Sequence, residues 1–373
     1  MKKCNLTFFS FKFLKSDIQL NQQNEETFTG KIKMYSTNIK VARMAIGLSL
    51  QELSERLTEA GHPTTKVTLS NYENGKYVPS EELLRIIARE LRTTTAYFNT
   101  DIKWNSQLRF FHKSEMIDRT QQNLEAFISI ELARFKYIDD LLGIKSVWKR
   151  QPKKLYSLDR PDTIENLAYQ FRTDHGAGRH AIPSVCSMLE SQGWHIFSIP
   201  DYCKQDKSIS GYDETTGVPF ILYKPDEYQD EMRLSLLKSV GYSLIEGETE
   251  EETEELVTHF ARAVLLPENI VRYSFGDRRK VLTERELATA KRMYGIGKKY
   301  IVKRMNELGI IDDSLYSEYM AYISQRFDLV RSSGLTDDSR FYDVPTTYEM
   351  RVARANAEGL TSITSIRSTY GVK

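Results

Sequence analysis

The stretch Thr65-Lys66-Val67-Thr68-Leu69-Ser70-Asn71 carries side chains whose types and spacing suit the reading of base edges. Set on a helix, Lys66, Val67, Thr68, Ser70 and Asn71 share an exposed face, and Thr65 joins them at its start. Asn bonds adenine in a bidentate way, Lys reaches guanine, and Val67 fits against a thymine methyl. Arg43, Asn74 and Lys76 are candidates for phosphate contacts, which set register rather than sequence. A second basic stretch runs from Arg272 to Arg304, with eleven Lys or Arg against three acids. It is a further DNA contact, a solvated helical face, or a patch answering the acidic run Glu246–Glu255 of the same chain. Glu255 and His259 stand at i and i+4, and His175 and His180 lie near glycines, but neither pair has the spacing of a catalytic metal set. Cys186 and Cys203 read as buried or incidental. No Ser-His-Asp or Cys-His arrangement and no phosphate-cradling glycine loop is visible.

The elements that must position the first stretch read as helices. Asn38 to Ile46 is amphipathic. Ser49-Leu50-Gln51-Glu52 forms a capping box, with Leu50, Leu53 and Leu57 following at helical spacing. Gly61-His62-Pro63 breaks that helix, Thr65 caps the next one over Lys66 to Asn71, and Asn74-Gly75 closes it. Pro79-Ser80 opens a fourth helix with Leu83, Ile87 and Leu91 on its apolar face, and Tyr97 and Phe98 complete a small core. A long helix follows, with Leu124, Ile128, Phe135, Ile138 and Leu142 near heptad spacing. That seam packs either against its own chain or against a partner helix.

Farther on, helices alternate with short strands. Ile164–Arg172 and Ile182–Gln192 read as helices, and Trp194–Phe197 and Phe220–Tyr223 as strands, the second preceded by a turn at Thr215-Thr216-Gly217. A helix near Glu231–Ile245, the acidic run, and a helix reaching Leu266 before Pro267 come next. In the basic region Thr283–Tyr294, a break at Gly295-Ile296-Gly297, and Lys298–Leu308 again spell helix, turn, helix.

Composition limits what this pattern can mean. The 373 residues are 28% charged and 40% hydrophobic, enough for two or three domains with their own cores. Fifty-two basic against 51 acidic residues give a net charge of +1, so any nucleic-acid contact comes from a local patch. Three scattered cysteines fit neither a disulfide framework nor a zinc ribbon and point to a reducing cytoplasm. No apolar run approaches the length of a membrane span. Residues 1–33, with Phe8-Phe9 interrupted by Lys12 and Lys15, read as a disordered extension, and Met34 as an alternative start.

Residues 35–98 resemble the phage-repressor-like (XRE-type) helix-turn-helix family. Leu48-Ser49-Leu50-Gln51-Glu52-Leu53 matches its second-helix signature, and Leu69-Ser70-Asn71-Tyr72-Glu73-Asn74-Gly75 its third. Leu50 stands where the family often has a DNA-contacting Gln, and the turn from Thr58 to Thr64 is longer than the family's. The remainder resembles the ImmA/IrrE family of zinc peptidase-like proteins. Ala181-Ile182-Pro183, Leu189–Trp194, Arg233–Leu237, Phe260–Pro267 and Tyr294–Ile311 carry this likeness. The resemblance implies a zinc site of the H-E-x-x-H type, whose positions fall on Lys238, Ser239 and Tyr242, with a third ligand at Leu256. None of these four offers an imidazole or a carboxylate, so the resemblance implies the fold while the residues argue against its chemistry.

The expectation is a mainly α chain with a smaller α+β part. An all-α helix-turn-helix domain (34–100) precedes a helical connector (101–150), a zincin-like domain (151–270), a basic helical region (271–326) and a tail (327–373). Its expected role is a cytoplasmic, sequence-specific DNA-binding regulator, a repressor acting as a homodimer, with an inactive peptidase-like sensor or protein-binding module and no cofactor. The alternatives are an active zinc peptidase that cleaves a repressor, and an antitoxin-like or phage-immunity factor that binds another protein.

Overall fold

The computed structural model describes residues 34–100, 107–113, 116–203, 209–225, 228–322 and 343–362. The expected extension 1–33 and most of the tail lie outside these residues. The chain divides into two compact units. One takes the chain up to 106, 116–142 and from 352 onward; the other takes 107–115 and 143–351.

The first unit is helical. Helix α1 (34–45) starts four residues before the sequence reading, and Asn38 lies inside it. Its buried amide donates to the carbonyls of Phe98 (3.1 Å) and Thr100 (2.7 Å), fixing the short 3-10 turn Tyr97–Asn99. Then come α2 (Leu50–Glu59), α3 (Lys66–Glu73), α4 (Glu81–Glu90) and, after the excursion described below, α5 (Asp118–Leu142). Leu53, Leu57, Leu69 and Ile87 are fully buried at the centre. The helix expected in a connector joins this core instead, through Ala126 and Ile130. Leu124, Ile128, Phe135 and Ile138 are buried as well, so most of the heptad-like seam is spent within the chain.

The second unit wraps helices around a four-stranded sheet of order β1-β4-β5-β3: β1 (Leu108–His112), β3 (His195–Ser198), β4 (Ile209–Asp213) and β5 (Pro219–Tyr223). Strands β4 and β5 form an antiparallel hairpin closed by Gly217 at φ 69°, and β3 runs parallel to β5. The run Ile209-Ser210-Gly211-Tyr212-Asp213 has no apolar alternation, which hid β4 from sequence reading. Two central helices, α8 (Gln229–Leu244) and α9 (Glu250–Leu265), pack with α6 (Pro161–Asp174) and α7 (Val185–Ser191). The two-residue strands β2 (Lys154–Leu155) and β6 (Ile245–Glu246) pair in parallel. Helices α10 (Glu268–Phe275), α11 (Glu284–Tyr294), α12 (Lys298–Glu307) and α13 (313–322) follow, and α14 (Thr347–Ala357) begins in this unit and ends among residues assigned to the first.

Two buried ionic clusters hold this unit together. Asp343 accepts from the α7 backbone at Val185 (2.6 Å) and Cys186 (2.9 Å), and from Arg233 (2.8 Å). Both charged side chains of that pair are fully buried. Glu165 accepts from Arg304 and bonds His259 at 2.6 Å, joining α6, α9 and α12. Burial opposes ionisation of Glu165, but the bonds from His259 and Arg304 prevail and hold its carboxyl at about 2.

Candidate nucleic-acid interface

Local chemistry fixes the helix pair. The Ser49 hydroxyl accepts from the Glu52 amide (3.1 Å) while the Glu52 carboxylate accepts from the Ser49 amide (2.6 Å), completing the capping box. These bonds to Ser49 hold the Glu52 carboxyl below its usual range, assisted by Arg119 of α5 at 3.2 Å. The connection to α3 runs over Ala60–Thr65, longer than the three or four residues of a usual helix-turn-helix turn. Ser54 secures it by donating to the carbonyl of Thr64 at 2.6 Å. Thr65 then caps α3 by accepting from the Thr68 amide at 3.2 Å. Gly75, at φ 70°, takes the left-handed turn that lets Lys76 donate back to the Asn71 carbonyl at 2.9 Å.

At 100° per residue, Lys66, Val67, Ser70, Asn71 and Asn74 fall within an arc of about 140° on α3, opposite the fully buried Leu69. Thr68 lies outside that arc. Val67 is 70% exposed, unusual for an aliphatic side chain on a short helix. Some of the polar groups are used within the chain. Thr65 and Thr68 bond each other at 2.9 Å, and Asn74 donates to the Ser70 carbonyl at 2.7 Å. The side chains of Lys66, Asn71 and Lys76 make no hydrogen bond or ion pair among the described residues.

Arg43 is not on this surface. Its guanidinium turns inward, forks onto Glu73 at 2.6 and 2.8 Å, and donates to the Leu48 carbonyl at 2.6 Å. It ties α1 to the end of α3 and is occupied too fully to meet a phosphate. Tyr77, which spacing gives no reason to single out, follows Lys76 in the same loop and is 63% exposed.

Six of the eleven basic residues in the stretch Arg272–Arg304 pair with acids of the chain. Arg272 pairs with Glu268, Arg279 with Glu286, Lys291 with Asp230, Lys298 with Glu284, Lys299 with Glu231 and Arg304 with Glu165. These acids come from its own helices and from α6 and α8, not from the run Glu246–Glu255.

The four positions aligned with a zinc motif also have defined partners. Lys238 and Tyr242, one turn apart on α8, both bond the carboxylate of Glu254 on α9. Ser239 is buried and donates to the Ser235 carbonyl at 3.1 Å. Leu256 is buried in the core, so the residue facing Lys238 and Tyr242 is Glu254, two positions earlier. His112 of β1 lies flat on Tyr242, with ring centroids 3.9 Å apart and planes 5° off parallel. An ammonium has no lone pair for a metal and already answers the carboxylate, so these residues do not fit a zinc ion. Among the described residues no trio of His, Cys, Asp or Glu is placed to hold one. His259 is committed to Glu165, and His175 is stacked on Phe171. His195 sits in β3, where burial and the nearby Arg351 charge push its imidazole down to about 3.

No helix among the described residues is long and apolar enough to cross a membrane. No curated protein matches the chain. Residues 39–98, from α1 to the 3-10 turn, match the family model described as Helix-turn-helix. They form a DNA-binding helix-turn-helix of the XRE type, the module of a transcription regulator.

Proposed function

We propose that this chain is a sequence-specific repressor in which α3 enters the major groove. The observation that carries this reading is the single face of α3 on which Lys66, Val67 and Asn71 stand exposed or half-exposed beside Lys76. Asn71 reads a base edge, Val67 contacts a thymine methyl, and Lys66 serves base or phosphate. Lys76 and Tyr77 bind the backbone. Thr65, Thr68, Ser70 and Asn74 shape the helix ends more than they read sequence. Two copies on adjacent half-sites supply the specificity one module lacks. Their contact lies outside the buried part of the α5 seam.

The second unit is read as an ImmA/IrrE-like module without peptidase activity, kept as a sensor or protein-binding platform. The motifs Arg233–Leu237 on α8 and Phe260–Pro267 through α9 support the likeness, and the Lys238–Glu254–Tyr242 cluster supports inactivity. Mapping the DNA bound in cells, followed by binding selection in vitro, tests the regulator. Asn71→Ala costs about 1–3 kcal/mol at the preferred site and relaxes one base position. An unchanged site preference overturns the docking. The purified chain carries far less than one zinc. One equivalent surviving dialysis, with chelator-sensitive cleavage of a repressor, replaces this reading with that of an active peptidase.

A further inference from the structure

Residues 141–158, which lead from the end of α5 toward α6, contain Lys145, Lys149, Arg150, Lys153 and Lys154 and no Asp or Glu. All five cations are exposed. None of their side chains makes a hydrogen bond or an ion pair among the described residues. Arg150 has a ring contact instead, its guanidinium lying 5.0 Å from the centroid of Tyr212. The stretch Arg272–Arg304 differs, since acids of the chain answer six of its cations. Acids of the run Glu246–Glu255 do reach the far end of the segment. There the Tyr156 amide donates to the Glu246 carbonyl at 2.9 Å, and the Leu158 amide to the Glu252 carboxylate at 3.1 Å. Yet these acids pair with none of the five cations.

The segment is fastened along its length. Gly143, at φ 65°, ends α5, and Lys154-Leu155 form β2 beside β6. Between them residues 144–153 form neither helix nor strand, and Trp148 anchors the run, its ring centroid 5.9 Å from that of Trp194 and 6.1 Å from that of Tyr212. Gly193, at φ 89°, leaves room for this crossing, since an added Cβ would stand 3.3 Å from the Trp148 backbone nitrogen. The steps from Lys145 to Lys154 span at most about 30 Å, close to one turn of a duplex at about 34 Å. Trp148 is taken up by the chain's own rings and offers no platform for an unstacked base, which favours a duplex over a single strand. We infer that Lys145–Lys154 is a second DNA-binding surface, which lies against the phosphate backbone of the duplex that α3 reads. It adds affinity without sequence. Starting three residues beyond the end of α5, it meets the phosphates of a duplex held by the first unit at high effective concentration. The inference rests on DNA binding by the helix-turn-helix and does not depend on a peptidase-like reading.

The test uses the full chain and a duplex that extends well beyond the preferred site on both sides. The variant Lys145→Gln/Lys149→Gln/Lys153→Gln removes three charges and leaves the Arg150–Tyr212 contact and β2 in place. Its slope of log affinity against log salt is shallower by about 0.9 for each lysine, about 2.7 in all, with unchanged base preference. A drop of less than about 0.9, or an altered base preference, overturns the proposal. So does an unchanged slope accompanied by lost binding to phosphatidylcholine vesicles containing phosphatidylserine, which assigns the strip to a membrane surface. A natural chain that binds no DNA overturns this inference together with the helix-turn-helix reading. If Asn71→Ala relaxes base preference while the lysine variant behaves as the natural chain, the inference alone falls. Acylation of lysines on the natural chain, read by mass spectrometry, decides the matter should the variant not fold. Bound duplex shields Lys145, Lys149 and Lys153, and undiminished reactivity at all three overturns the proposal.

Discussion

The inward turn of Arg43 makes a sharp experiment possible at Glu73. Their side chains are 10% and 6% exposed, and the guanidinium forks onto both carboxylate oxygens. Glu73→Ala leaves an arginine enclosed with only the Leu48 carbonyl for company. Breaking one side of such a pair costs about 3–5 kcal/mol, since the abandoned charge loses its partner without regaining water. In a body of this size each kcal/mol moves the thermal midpoint by ~4–8 °C, so the loss is at least ~12 °C. Replacing both partners by apolar residues of similar volume, Arg43→Met with Glu73→Leu, restores most of it. Urea unfolding of the full chain, followed by a probe in residues 34–100, measures the first effect. The salt dependence of DNA affinity measures the second. Were Arg43 a phosphate ligand, freeing it would steepen the slope of log affinity against log salt by about 0.9 for each contact. The expected result is a lower midpoint in urea with an unchanged slope. A stable Glu73→Ala variant that binds DNA more tightly and with a steeper slope refutes the assignment.

Lys76→Ala weakens all DNA sequences alike and reduces the salt slope by about 0.9 per half-site; loss of preference for one base instead would move Lys76 from backbone to base readout. Acid weakens the second unit in two stages. His195 is held neutral down to about 3, so stability falls as pH drops below the ordinary imidazole value of 6.5. Glu165, held at about 2, adds a second loss as pH falls from 4.5 toward that value, and Glu165→Gln removes this second stage from a pH series of urea unfolding. A flat profile from pH 6.5 to 3 would contradict both assignments. Finally, Lys238→His with Ser239→Glu and Tyr242→His creates the helical metal motif opposite Glu254, and this variant takes up about one zinc per chain by mass spectrometry. Failure of the folded variant to gain metal would show that Glu254 does not occupy a third-ligand position.

Local signals carried the first unit well. Ser49 and Glu52 form the capping box their spacing announces, Thr65 caps α3, and the Asn74-Gly75 pair ends it. Longer side chains were less legible. Arg43 has the same sequence signature whether it points to solvent or to Glu73, thirty positions away. Helix α5 has an apolar pattern that two partners would satisfy equally well, and only folding shows Ala126 and Ile130 inside the first core. In the second unit, β3 and β5 are short apolar runs and were visible. Strand β4 was not, because Ser210 and Gly211 break any apolar alternation, and Gly211 is there for the neighbouring strand. Leu256 illustrates the limit of aligned register. The nearby acidic residues make Glu254 as plausible by composition, and the choice depends on which one faces Lys238 and Tyr242.

The position of Asp343 bears on how the molecule is made. Every residue of the first core precedes residue 131, whereas Arg233 and the start of α7 wait for a carboxylate 110 residues beyond Arg233. A ribosome adding about 5–20 residues per second needs on the order of 10–40 s to cover the interval from the last core residue of the first body to Asp343. Throughout that time a nascent chain presents its helix-turn-helix on a polypeptide whose second body has only backbone carbonyls, and no carboxylate, to answer the buried Arg233 guanidinium. Premature termination before residue 343 yields a DNA reader attached to an unclosed domain, a species exposed to proteases and chaperones. Closure of the second body therefore depends on a carboxylate supplied from far along the chain, at Asp343.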